Sequence, residues 1–350
     1  MILLLGLREL QWSRRRFAVA VLATALVFAL GLLMSGVSAS FDNEIDRTVD
    51  SFGADAWLVR GESFGPFTGP ATLPASGARV VQGLPGVDRA DPVAVLRATT
   101  TTPTRRNVNL LGVVPGGVGS PPGWRGQLLA RRGTAIADES LGLSVGDMID
   151  LNGRSLRVGA VTRGQTYFAG IPTVTVALRE AQALALDGRP LATAIVTRGR
   201  PAATPRSFAV LANDDVARDL ARPVVQAKQT ISLIRVLLWV VAAGIIGAIV
   251  YLSVLERTRD FAALKAIGVP TVHLLGALIL QAVVLSMLSA LLAVGIQAAI
   301  APAVAMSVEV PLLAYISLPL VAVATGMLAS FIGLRRAVGV DPALSFAGSR

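Results

Sequence analysis

No cysteine occurs among the 350 residues, which excludes disulfides, thiolate nucleophiles and Cys-ligated zinc or iron–sulfur centres. Histidine is represented by His273 alone, so neither a histidine triad nor a multi-histidine metal site can be built. Lysine is almost as scarce: of 32 basic residues only Lys228 and Lys265 are lysines, and neither follows a glycine or precedes Ser or Thr. The chain therefore lacks the Walker A lysine that reaches nucleotide phosphates. Charged residues make up 15% of the chain, whereas soluble domains hold about a quarter. The 34 glycines show no triplet period, which excludes a collagen-like chain. With 53% hydrophobic residues and a mean hydropathy of +0.64, the composition is that of a membrane protein.

Four apolar segments are long enough to cross a hydrocarbon core, for which about 20 helical residues suffice. They run over 17–39, 231–255, 274–300 and 312–334. The predicted fold is thus an α-helical membrane protein with four transmembrane helices in a one-plus-three arrangement. A large α+β extracytoplasmic domain, residues 40–230, separates the first helix from the second. A segment at 1–16, a cytoplasmic loop at 256–273, a short outer loop at 301–311 and a tail at 335–350 complete the organisation.

Orientation follows from the short flanks. Arg8, Arg14, Arg15 and Arg16 precede the first helix; Arg257, Arg259 and Lys265 lie between the second and third; Arg335, Arg336 and Arg350 follow the fourth. The connection 301–311 carries no Lys or Arg. Both termini are expected in the cytoplasm of a plasma (inner) membrane, with the large domain outside. The formal charge of +10 is then explained by topology and calls for no nucleic-acid partner. Residues 1–16, with Trp12 among leucines and arginines, read either as an interfacial helix or as the basic flank of a spanning one. Ser38-Ala39-Ser40 offers a competing reading of residues 1–40 as a cleaved signal peptide, against which the length of the apolar run argues.

Within the four spans only Arg235 is charged, near the outer end of the second, where snorkelling to the interface is expected. Ion-coupled transporters place acids or histidines at mid-bilayer, and none is found here. Gly244 with Ala248, Ser286 with Ala290 and Gly326 with Ser330 are small-residue pairs at helix-packing spacing. In the outer domain, 54–60 alternates like an edge strand, and 107–114 and 192–197 read as buried strands. Residues 147–152 and 155–162 flank the hairpin signal Asn152-Gly153, while 179–186 and 207–220 look helical. The acidic pairs Asp138-Glu139 and Asp214-Asp215 are sequence neighbours and do not face one another on a strand or helix, so they make no catalytic pair.

The cytoplasmic loop has the sharpest local pattern. From Glu256 to Gly268 it reads as a short helix in which Phe261, Leu264 and Gly268 share one stripe, ringed by Arg257 and Lys265 and stopped by Gly268 and Pro270. An apolar knob ringed by charge suits a ball-in-groove contact with a soluble partner; an interfacial loop helix is the plain alternative.

This loop resembles the signature loop of the FtsX/MacB-type (type VII) ABC transporter permeases. Arg335-Arg336-Ala337 followed by Asp341-Pro342-Ala343-Leu344 resembles that family's C-terminal tail, and residues 135–147 with the following hairpin resemble its periplasmic core. By its short length and its arginine-for-lysine bias the chain resembles the DevC-like actinobacterial branch of that family. The resemblance implies a non-catalytic subunit, a dimer of permeases bound to two copies of an ABC ATP-binding subunit. ATP and Mg would sit on that partner, with no cofactor or metal on this chain. It places Glu256, Arg257, Arg259, Asp260, Phe261, Leu264, Lys265 and Gly268 at the ATPase contact, with Asp341 and Pro342 as secondary contacts. Two functions stay open: export or extraction of an amphiphile, lipid or peptide, with or without an extracytoplasmic adaptor, and mechanical signalling to a cell-wall hydrolase. An amino-acid-type importer is disfavoured, because importer permeases carry a different loop motif and usually more spans.

Overall fold

The computed structural model describes residues 14–61, 63–69, 71–203, 205, 207–256, 270–301, 310–321, 323, 324 and 327. Residue contacts divide the chain into two units, a membrane unit of Met1–Ser40 with Lys228–Arg350 and an outer unit of Phe41–Ala227.

In the membrane unit, helix α1 begins at Arg14 and continues to Ser51. Among the described residues three helices contain a stretch long and apolar enough to span a bilayer, within Phe17–Ser51, Asn213–Glu256 and Leu278–Ile300. A shorter apolar helix, Leu312–Val321, begins the fourth expected span, most of whose remainder to 334 lies outside the described residues.

Two clusters hold this unit together. Ala25, Phe28, Ala29 and Leu32 pack with Ala242, Ala290, Ala293 and Leu318, and Ala20 packs with Ile246, Val250, Val254, Leu278, Ala282 and Leu285. Alanine dominates the first cluster because helices in lipid gain from close backbone approach and not from hiding apolar surface from water. Of the expected small pairs, Ser286 and Ala290 are buried, whereas Gly244 and Ala248 are exposed on the single chain; Gly326 and Ser330 lie outside the described residues. The Arg235 guanidinium meets Ser35 Oγ at 3.4 Å and lies 5.8 Å from the Trp239 ring centre. The spans also hold interior polar pairs: Gln281 Nε2 donates to Ser253 Oγ (3.1 Å) and Tyr315 OH to Gln297 Oε1 (2.9 Å).

The outer unit is built on a mixed sheet. Strand β1 (Ala56–Arg60) lies between β12 (Phe208–Leu211) and β11 (Ala194–Arg198), and β11 pairs with the first half of the long β3 (Arg89–Thr100). The second half of β3 pairs with β4 (Arg106–Val113), which runs parallel to β9 (Ile171–Ala177). From β9 the order continues through β5 (Thr134–Asp138), β7 (Arg154–Thr162) and β6 (Met148–Leu151). Thr100 then pairs with Leu151, so the six strands from β3 to β6 close into a ring. Every second residue points inward: Val108 and Leu110, Ala135 and Ala137, Ile149 and Leu151, Leu156 and Val158, Val174 and Val176. Helix α4 (Leu178–Ala185) adds Leu178, Ala181 and Leu184 to that core.

A second core under β1 and β11 draws on β2 (Leu73–Pro74), α2 (Gly77–Gln82) and β10 (Leu191–Ala192). The unit also holds α3 (Trp124–Leu128), a 3-10 turn at Glu139–Leu141 and β8 (Thr166–Tyr167), which forms a hairpin with β9.

The hairpin at Asn152-Gly153 forms as expected, with φ of 51° and 81°, the positive values a two-residue turn of this kind demands. Two expectations are corrected. Strand β1 is not an edge: Ala56, Trp57, Leu58 and Val59 are all buried because strands flank it on both sides. Residues 207–220 are not one helix, because Phe208–Leu211 pair with β1 and helix α5 (Asn213–Glu256) starts only after them.

Candidate functional site

The expected ATPase contact begins at Glu256, the exposed last residue of α5. Pro270, extended at φ −65° and ψ 140°, precedes helix α6 (Thr271–Ile300); its missing N–H costs nothing where a helix starts. Arg257, Arg259, Asp260, Phe261, Leu264, Lys265 and Gly268 lie outside the described residues, as do Asp341 and Pro342.

Both helices that bound the outer unit exceed what a bilayer requires. At 38 and 44 residues, α1 and α5 are about 57 and 66 Å long against a hydrocarbon core of about 30 Å. The surplus is amphipathic. In α1 Phe41, Glu44, Ile45, Thr48 and Val49 are buried in turn, and in α5 Val216, Asp219, Leu220 and Val224, the i, i+3, i+4 pattern of one helical face.

On each stripe sits one buried carboxylate, and each is fully engaged. Glu44, 7% exposed, accepts from Thr166 Oγ1 (2.6 Å), Ala169 N (3.1 Å) and Gly170 N (2.9 Å). The last two donors converge because Phe168, Ala169 and Gly170 in the β8–β9 turn all have positive φ, which turns successive N–H groups to one side. Asp219, 1% exposed, accepts from Phe67 N (2.9 Å), Thr68 N (3.2 Å) and the Thr68 hydroxyl. Arg222 is a weaker neighbour at 4.0 Å. Charge-assisted bonds of this kind are about twice as strong as neutral ones, and burial keeps water from competing.

The two clamped loops touch through aromatic rings. Phe67, beside the Asp219 clamp, meets the Tyr167 ring edge-on at 5.4 Å, and Tyr167 belongs to the hairpin that Glu44 holds. Phe52 and Trp57 extend this cluster, with Phe52 4.6 Å from Trp57 and 6.2 Å from Phe67. Trp57 Nε1 donates to Asn213 Oδ1 (3.0 Å), and Asn213 Nδ2 donates to Ala54 O (3.1 Å), which fixes the start of α5. Burial pushes the Tyr167 phenol above its ordinary pKa, with Arg97 acting weakly in the opposite sense, so it stays protonated. Asn109 on β4 ties the hairpin to the ring, donating to Ile171 O (2.8 Å) and Tyr167 O (3.3 Å), while Arg97 on β3 lies over Phe168 at 5.1 Å.

None of this junction was anticipated from sequence. The available signals were the buried stripe continuing from Phe41 to Val49 and the Asn213-Asp214-Asp215 helix start, where Ala212 N also donates to Asp215.

Comparison with known proteins gives the family. Residues 232–342 match the FtsX-like permease C-terminal family, a stretch that includes residues 256–268 and the tail motif at 335–342. An uncharacterized ABC transporter permease of Mycobacterium tuberculosis is 39% identical, over 98% of this chain and 99% of that protein. A second from the same organism is 37% identical over 98% and 99%. The chain belongs to the FtsX-like ABC transporter permeases. It is also similar to the extracellular domain of the noncanonic ABC-type transporter YknZ from Gram-positive bacteria, at 13% identity and a TM-score of 0.33, covering 44% of this chain and 98% of that one. The periplasmic region of MacB from Actinobacillus actinomycetemcomitans gives 12% and 0.35, covering 50% and 97%.

Proposed function

We propose that this permease converts ATP hydrolysis on separate ATP-binding subunits into motion of the outer unit, and that this motion exports or extracts an amphiphile, lipid or peptide. The observation that carries the reading is the continuity of α1 and α5. Helix is continuous across the residues that divide the two units, in α5 with Pro223 inside it, and a continuous helix passes displacement along its axis. The spans themselves hold no charge except Arg235, which disfavours a path for a polar solute through them. Two permease copies pair with two ATP-binding subunits, ATP and Mg reside on the latter, and both termini face the cytoplasm of the plasma membrane. The loop from Glu256 to Gly268 seats in the ATPase, with Phe261 and Leu264 as its buried anchors and the surrounding charges setting register.

The test is Phe261→Ala against Arg259→Ala, at matched expression in detergent. A desolvated aromatic anchor contributes about 2 kcal/mol or more, about thirtyfold in affinity. Phe261→Ala should release the ATP-binding subunit at moderate salt while Arg259→Ala retains most of it. Equal retention by the parent and Phe261→Ala would refute the role of this loop. A pull-down from native membranes separates the outcomes for cargo: an adaptor or substrate supports export, whereas a co-purifying cell-wall hydrolase would convert the reading to mechanical signalling.

A further inference from the structure

We infer that Glu44 and Asp219 are the positioning residues through which α1 and α5 drive the six-stranded ring, an inference that rests on the proposed motion of the outer unit. Three features distinguish them from ordinary buried acids. Each stands on the part of a long helix that belongs to the outer unit, so it moves with that helix. Each accepts its hydrogen bonds from a loop far away in sequence, at Thr166–Gly170 or at Phe67 and Thr68, the one same-helix neighbour being Arg222, 4.0 Å from Asp219. The two loops are also joined to each other by the Phe67–Tyr167 ring contact.

Apolar side chains packed on the same stripe can slip past their neighbours with small loss, because dispersion and burial are not directional. A carboxylate held by three convergent donors cannot, since a shift of about an ångström takes the bonds beyond hydrogen-bonding distance. The carboxylates therefore convert a greasy contact into a fixed one. From the hairpin the displacement reaches β4 through Asn109 and β3 through Arg97. Because Phe67 couples the two clamped loops, the helices act on the ring together and not independently.

The experiment uses the full permease with its ATP-binding subunits in nanodiscs and follows amide hydrogen exchange without nucleotide and after vanadate trapping. In the parent, amides of 166–177 and 106–113 should change exchange about tenfold between the two states. Glu44→Gln and Asp219→Asn should leave ATP hydrolysis and nucleotide-free protection near parental values yet shrink that change to less than twofold. A purely structural role predicts the opposite pattern, lower protection in both states with the difference intact, and that result overturns the inference. Phe67→Leu keeps the apolar volume and removes the ring contact. Should a carboxylate variant unfold, Phe67→Leu decides alone: a reduced change supports the inference and an undiminished one overturns it. If the parent itself shows no nucleotide-dependent change, the proposed motion fails, an outcome distinct from failure of the clamps.

Discussion

Between Phe17 and Leu32, helix α1 turns mainly alanines and Phe28 toward its neighbours, whereas between Phe41 and Phe52 the same helix turns in Glu44 and Thr48 among apolar groups. The two stretches share a backbone and a periodicity, and they are held by different forces. In the membrane stretch the gain is close van der Waals contact, which tolerates gradual adjustment. In the outer stretch it is directional bonding to a buried charge, which does not. One helix thus joins a compliant grip to a rigid one. Helix α5 repeats the arrangement, with Ala242 and Ile246 in the apolar clusters and Asp219 in a clamp. The difference suits the proposed motion, in which the outer unit follows the spans.

The sharpest way to break the comparison is through a glycine at the rigid grip. A Cβ added at Gly65 would land on the side chain of Asp219, which is buried and bonded and cannot swing aside. Gly65→Ala must push the carboxylate off Phe67 N and Thr68 N, leaving polar groups short of partners. We expect a loss of about 3 kcal/mol, seen as a melting temperature several degrees lower for the detergent-solubilised chain. A melt unchanged within a degree would mean that the loop shifts freely and that the Asp219 grip is not rigid.

In the compliant region an enlarged side chain should be felt less. Ala290 is buried among Ala25, Phe28, Ala29 and Ala293. Ala290→Leu overfills that contact, at a cost of about 2 kcal/mol if the helices stay in place and less if they part. The measurement is again the melt, read beside retention of the ATP-binding subunit. A loss exceeding that of Gly65→Ala would reverse the assignment of rigid and compliant regions.

What could be read from the sequence follows the same division. Apolar runs announce themselves by length, so the helical spans and their separation by a β-rich domain were visible in advance. Asn152-Gly153 was legible because a tight hairpin requires two residues that accept positive φ. The clamps were not legible, because their donors at Phe67, Thr68, Ala169 and Gly170 are backbone N–H groups, which leave no residue signature. The neighbours of Glu44 lie more than a hundred residues away, at separations of 122 to 126. Strand β12 was read as helix because its partner β1 sits farther off still, and tertiary pairing overrode local propensity. Of the residues expected at the ATPase contact only Glu256 is described, so the proposed contact rests on the charge-ringed Phe261 stripe and on family membership.

The smallest effect is expected at Gly31, and its sign is informative. Gly31 lies in the middle of α1 in the membrane unit, where a Cβ would meet Trp239 Nε1 at 3.9 Å, an ordinary contact. Glycine in a helix interior is less favourable than alanine by about 0.5–1 kcal/mol. Gly31→Ala should therefore leave the melt unchanged or raise it by a degree or two. The same chemical change, one methyl group on a glycine, is thus expected to be harmless in the membrane stretch and damaging at the Asp219 clamp. A marked drop for Gly31→Ala would place α1 and α5 in closer contact than 3.9 Å allows at some stage of the cycle. Glycine there would then be needed for a tighter packed state, and the membrane grip would be as exacting as the outer one.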